Sequence, residues 1–244
     1  MATFVLVHGA WHGGWCWQRV ASRLRTAGHE VYTPTLTGLG ERVHLVHPGI
    51  DLQTHITDVV NLMHYEDLRD VVLVGHSYAG MVVTGVADRV ADRVAHLVFL
   101  DAFLPQPGQS LHDILGPEMA GGQRAAADAE GDGWRVPPLV PIFGIEGAAD
   151  LAWATPKFTA QPLGTLTQGV QYRTPLEAQP FTRTYIQAAG RDNGVFGPIA
   201  ERLRGEPTWR VHVVDTGHDV MITRPAELTE LLLDEVATPA GATR

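Results

Sequence analysis

The sequence predicts an α/β domain built on a mainly parallel six-stranded sheet with helices on both faces. Three observations lead there. Short runs of consecutive apolar residues alternate with longer stretches of helical periodicity, the rhythm of repeated strand–helix units. The short runs carry Val, Leu and Phe at successive positions, as strands buried on both faces do. The chain has 244 residues, 45% of them hydrophobic, enough for one large core without a second domain of equal size.

Taken in order, the strand candidates are Thr3–Val7, Val31–Thr33, Val71–Val74, Ala95–Leu100, Thr184–Ala188 and Arg210–Val214. Helix candidates fall between them, at Cys16–Ala27, Leu52–Glu66, Ala79–Val90 and Ala226–Val236. In the second helix, Leu52, Ile56, Val59, Val60 and Met63 share one face. The last follows Arg224-Pro225, and proline suits a first helical turn. The rhythm fails between Phe103 and Phe181. This stretch is rich in Pro and Gly, as in "LPQPGQS" and "EGDGWRVPPLVPIFG", and shows no clear strand. A structureless loop of this length is improbable in a compact domain. We read residues 103–181 as a partly helical cap inserted into a core made of residues 1–102 and 182–244. Its aromatic residues, Trp134, Trp153 and Phe158 among them, are expected to line a pocket near the C-terminal ends of the strands.

Charge and cysteine content exclude several functions. The formal net charge is −9 and no Lys/Arg-rich run occurs, so neither nucleic acid nor an anionic membrane surface is an expected partner. Cys16 is the single cysteine, which rules out an internal disulfide and any metal site needing two cysteines, and suits a reducing compartment. The start, "MATFVLVHGAWHGGW", lacks a basic n-region, and no run reaches the roughly 20 apolar residues of a membrane helix. A soluble, cytoplasmic protein is the expectation. No metal or cofactor is expected; the glycine-rich "HGAWHGGW" is not a phosphate loop, because no G-K-[ST] follows. A homodimer is compatible with the sequence, which does not fix the oligomeric state.

The chemistry centres on "VVLVGHSYAGMVVTG". Ser77 sits between a strand and a helix in a G-x-S-x-A sequence, one methyl group away from the G-x-S-x-G turn that exposes a nucleophilic serine. The residues two before and two after such a serine must be small; Gly75 and Ala79 meet this, and Gly80 follows. A serine hydroxyl needs a base. Of the downstream histidines, His96 and His212 lie in strand candidates and His112 in the cap. His218 lies in the loop after the last strand, at the same sheet edge as Ser77, and is the expected base. For the acid that orients it, Asp192 in "AAGRDNGVF" is preferred and Asp101, after the strand ending at Leu100, is the rival. The oxyanion donors would be the backbone N–H groups of Tyr78, at a helix N-terminus, and of Ala10, in the glycine-rich loop after the first strand. Trp11 and Cys16, on or just after that loop, are candidate pocket residues.

Together "FVLVHGAWHGGWCW", "PTLTGLGER", "LVGHSYAGMV", "GRDNG" and "GHDVMITRP" resemble the branch of the α/β-hydrolase superfamily that holds plant methyl-ester esterases and hydroxynitrile lyases. The resemblance runs from Thr3 to about Val236 and is weak through the cap. It implies an α/β-hydrolase fold with Ser77 as nucleophile, His218 as base, Asp192 as acid, and Ala10 and Tyr78 as oxyanion donors. The N-terminal half is particularly similar to bacterial esterases that hydrolyse the methyl carbamate carbendazim. A serine hydrolase acting on a small-molecule ester, methyl carbamate or activated amide is therefore the expectation. Two alternatives stand beside it: cyanohydrin cleavage, and a binding protein on a hydrolase fold. Gly9 and Asp219 stand where the lyases have Thr and Lys, and a carboxylate at 219 would have the wrong sign for cyanide.

Overall fold

The computed structural model describes residues 1–190 and 194–237. The chain runs β1 (Thr3–Val7), α1 (Gln18–Thr26), β2 (Glu30–Tyr32), α2 (Leu52–Tyr65), β3 (Val71–His76), α3 (Ala79–Arg89) and β4 (Val94–Leu100). It continues through α4 (Leu111–Glu130), β5 (Arg135–Val136), α5 (Ala148–Ala154), β6 (Gln161–Pro162) and α6 (Gly164–Thr167). It closes with β7 (Thr182–Ala188), α7 (Phe196–Arg204), β8 (Trp209–Val214), α8 (Val220–Thr223) and α9 (Pro225–Ala237).

Six strands form one parallel sheet in the order β2-β1-β3-β4-β7-β8, as expected. Helix α1 packs with α9 and α2 with α3. The central strands β1, β3 and β4 are mostly apolar because both faces are covered; Phe4, Leu6, Val74 and Val98 are wholly buried. The chain leaves β1 toward β2 on one side and returns to place β3 on the other. The loops after β1 and β3 therefore diverge and open a crevice at the C-terminal edge, where ligands of parallel sheets bind.

Strand β3 extends to His76, two residues past the expected end, which carries the strand right up to Ser77. Helix α1 begins only at Gln18, because Gly14–Trp17 form a separate 3-10 turn that buries Cys16 and Trp17. Helix α7 was not foreseen, although Phe196, Ala200 and Leu203 form its buried stripe; Gly197-Pro198 masked the period.

The segment between β4 and β7 is more regular than its sequence suggests. Helix α4 starts at a capping box in which Ser110 and Asp113 each accept from the other's backbone N–H. It bends at Gly116, whose φ is 80°, just before Pro117. The antiparallel pair β5–β6 lies where the sequence shows no clear strand; two-residue strands are too short to show a period. No helix among the described residues is long and apolar enough to cross a membrane.

Candidate active site

Ser77 occupies a forced turn. Strand β3 delivers the chain to Ser77, which takes φ = 55°, and α3 starts two residues later. A non-glycine residue in this region costs roughly 1–3 kcal/mol and persists only where neighbours impose it. Here they do. The Ser77 N–H donates to the Leu100 carbonyl at 3.2 Å, and its own carbonyl accepts from Gly80 at 3.0 Å and Phe103 at 3.2 Å. The close approach that demands a glycine falls at residue 80. A Cβ there would lie 2.0 Å from the Phe103 carbonyl oxygen, whereas the Ala79 methyl is buried without displacing the helix.

His218 reaches the same edge from the loop after β8. Its Nδ1–H donates to Oδ2 of Asp101 at 2.6 Å. Asp101 follows β4, is wholly buried, and is itself fixed. Its Oδ1 accepts from the Ala188 N–H at 3.1 Å and its N–H donates to the Ile186 carbonyl at 2.7 Å. This bond fixes the tautomer that leaves His218 Nε2 as the basic nitrogen. Phe196 stacks on the imidazole with ring centroids 5.1 Å apart and planes 5° from parallel. His76 donates Nε2–H to the His218 carbonyl at 3.1 Å, holding the backbone behind the ring. Burial disfavours the imidazolium, but the hydrogen bond and charge of Asp101, with a further contribution from Asp219, outweigh it. The His218 pKa is raised above its ordinary 6.5. Asp192 lies outside the described residues, so Asp101 is the carboxylate seen at the imidazole.

Ser77 and His218 line one cavity of about 380 Å³, together with Ala10 and Tyr78, the residues of the two expected oxyanion amides. Tyr78 is turned aside by a bond from its hydroxyl to His55 Nδ1 at 2.9 Å. His55 in turn donates Nε2–H to the Thr37 carbonyl at 3.0 Å, and burial pushes its pKa down to about 4, so the ring is neutral. The remaining wall is largely apolar. Leu111, Leu115 and Met119 come from α4, with Pro141 and Ile142 beyond it. Gln123 is the polar side chain that α4 adds to this wall, and His112 donates to its Oε1 at 2.9 Å.

The expected pocket residues divide. Trp11 lines the cavity. It also ties the glycine-rich loop to the inserted segment, since its N–H donates to Gln161 and its indole N–H to the Val136 carbonyl. Cys16, Trp134, Trp153 and Phe158 are not among the lining residues, which corrects that expectation. Cys16 is wholly buried, and burial, with the charge of Asp219, pushes its thiol pKa well up, so it is a packing residue. Two of the aromatic rings, Trp153 and Phe158, tie the inserted segment to the loop after β1, and Trp134 packs within the segment itself. Trp153 meets Trp15 edge-on with Lys157 over its face, Phe158 packs on His12, and Trp134 lies under Arg135. The true wall residues of α4 were missed. Leu111, Leu115 and Met119 recur at helical spacing behind a capping serine, a signal the Gly116-Pro117 bend obscured.

Asp219 also departs from expectation. Its carboxylate is wholly buried, faces His12 and is not among the cavity-lining residues, so it would not contact a cyanide leaving group. The objection to lyase chemistry rests on Gly9 instead. A Cβ there would lie 2.9 Å from both His76 Nδ1 and Ser77 Cβ, so a threonine would force those side chains to shift.

A serine at a strained strand-to-helix turn, a buried histidine–carboxylate pair and a doubly wound parallel sheet are the arrangement of an α/β-type hydrolase. The chain belongs to the alpha/beta hydrolase family, whose pattern it matches over residues 4–231. It is 44% identical to a carbendazim hydrolyzing esterase of Nocardioides sp. (strain SG-4G), over 95% of this chain and 98% of that protein. It is 25% identical to Methylesterase 10 of Arabidopsis thaliana, over 96% and 91% of the two chains. Among solved structures, it matches an extracellular α/β-hydrolase from a Paenibacillus species that shares structural and functional homology with tobacco Salicylic Acid Binding Protein 2. That match has a TM-score of 0.84 and 26% identity, over 96% of this chain and 99% of the other. The protein is accordingly an esterase-type hydrolase.

Proposed function

We propose that this protein hydrolyses a small carboxylic ester or methyl carbamate through a covalent intermediate on Ser77, with His218 as general base and Asp101 as its orienting acid. The observation that carries the reading is the 2.6 Å bond between buried Asp101 and His218, on the cavity that Ser77 also lines. Asp101 takes the role first given to Asp192. In the reaction, Ser77 Oγ attacks the substrate carbonyl carbon as its proton passes to His218 Nε2. The carbonyl oxygen, now negative, lies against the N–H groups of Ala10 and Tyr78. Collapse breaks the bond to the leaving alcohol, which takes the proton back from His218. Water then attacks the acyl- or carbamoyl-serine by the same steps and frees Ser77. A methyl carbamate would lose methanol in the first half.

The 44% identity to a carbendazim-hydrolysing esterase supports the carbamate branch. The cavity wall supports a mostly apolar substrate. The inserted segment acts as the cap that supplies the wall. The test is a parallel screen of methyl esters, aryl esters and methyl carbamates with wild type and Ser77→Ala. Turnover only by wild type is expected, with Ser77 labelled by a fluorophosphonate. Equal turnover by Ser77→Ala would end the proposal.

A further inference from the structure

One buried pair is left unused by this mechanism. His12 and Asp219 are 1% and 0% exposed, with Nε2 and Oδ2 3.0 Å apart. His12 Nδ1 lies 2.6 Å from the Ala10 carbonyl oxygen. We propose that His12 and Asp219 form a positioning strut that sets the oxyanion donor Ala10 against the general base His218. The inference rests on the hydrolase reading above.

The strut joins two loops that meet nowhere in sequence. One end grips the carbonyl of Ala10, the residue whose N–H is the proposed oxyanion donor. The other is the residue directly after His218. Both ring nitrogens of His12 face acceptors, a carbonyl and a carboxylate oxygen. The ring therefore bridges the two loops through a polar contact on each side.

Its surroundings hold it rigid. Trp15 stacks on the His12 ring, with planes 18° apart, and Phe143 and Phe158 meet it edge-on at 4.8 Å. The Asp219 N–H donates to the Phe143 carbonyl at 3.0 Å. Asp219 Oδ1 has no hydrogen-bond partner among the described residues and lies 3.9 Å from His76 Nε2, the group that holds the His218 carbonyl. Buried ion pairs contribute little net stability compared with apolar residues of the same shape. A fold that needed only packing here would be served as well by Phe and Leu. What those residues could not do is bind the Ala10 carbonyl.

The test uses His12→Phe/Asp219→Leu, which replaces both partners together and leaves no orphaned charge, and Asp219→Asn as a second variant. Active sites are titrated with a fluorophosphonate, and kcat per titrated site, KM and the Ser77 labelling rate are measured on a p-nitrophenyl ester. The double variant should keep its Tm within about 5 °C of wild type. Its kcat per site and labelling rate should fall at least about tenfold, with KM nearly unchanged, as a misplaced donor or base requires. If the double variant fails to fold, Asp219→Asn is read by the same criteria. Turnover and labelling within about twofold of wild type, at any Tm, would show that the pair only packs and would overturn the strut. Failure of wild-type Ser77 to label would overturn the hydrolase reading and the strut with it, whereas normal wild-type labelling beside an unimpaired variant overturns the strut alone.

Discussion

His218 Nδ1 lies 2.6 Å from Asp101 Oδ2, and that carboxylate comes from the end of β4, buried beneath the imidazole. Strands β4 and β7 are neighbours in the sheet, and β8 follows β7. An acid at the end of either neighbour is placed to reach a histidine that follows β8. The assignment therefore turns on which side chain makes the bond.

Asp101→Asn should lower kcat about 10³- to 10⁴-fold, because an amide in this position stabilises the wrong tautomer. Asp192→Asn should cost less than about tenfold, as expected of a group without the triad role. Both are measured as kcat per fluorophosphonate-titrated site. The reverse pattern would return the acid role to Asp192.

The pH dependence has a definite sign. His218 must be neutral to accept the serine proton, and its pKa is raised above 6.5 by Asp101 and Asp219 against the opposing effect of burial. The acid limb of kcat/KM should therefore lie above pH 6.5, with activity climbing as pH rises through it. In Asp101→Asn the raising charge is gone and burial remains, so the residual activity should have its limb at lower pH. A limb that does not move would detach Asp101 from His218.

The strain at Ser77 can be read separately from its chemistry. Ser77→Gly and Ser77→Ala should both be inactive. Only glycine relieves the left-handed backbone, so Ser77→Gly should be more stable than Ser77→Ala by about 1 kcal/mol. Urea unfolding of the two variants gives the difference, and equal stabilities would contradict an imposed turn.

The elbow's tolerance at 79 has a counterpart at 80. Gly80→Ala should destabilise by about 2 kcal/mol or more, because its methyl would meet the Phe103 carbonyl oxygen at 2.0 Å. Ala79→Gly should lose about 1 kcal/mol of helix propensity and keep its activity. Thermal unfolding and ester turnover of the two variants provide the check.

Gln123 should discriminate among substrates. His112 donates to its Oε1, so its amide N–H groups are not engaged in that bond and can serve as donors on an apolar wall. Gln123→Leu should raise KM about tenfold for substrates with a polar or heterocyclic group and lower it for plain alkyl esters. Parallel changes for both classes would deny it a recognition role.

The sequence by itself determined the sheet, the strand-to-helix turn at Ser77 and the sheet edge to which His218 belongs. Apolar runs, helical stripes and a serine at a strand–helix junction are local signals, set by burial on two faces and by the tightness of one turn. His218 was legible because strand order alone puts its loop at the Ser77 edge. The aromatic residues Trp134, Trp153 and Phe158 were misread because composition does not say which neighbour a ring will meet, and here they bind the inserted segment to the loop after β1 or cover its own surface. Only the tertiary structure decided that Asp101 meets His218, that Asp219 turns away from the cavity to His12, and that α4 supplies a wall of the cavity. Each is a contact between segments far apart in the chain, fixed by the direction in which a side chain leaves its loop, and no local pattern encodes that direction.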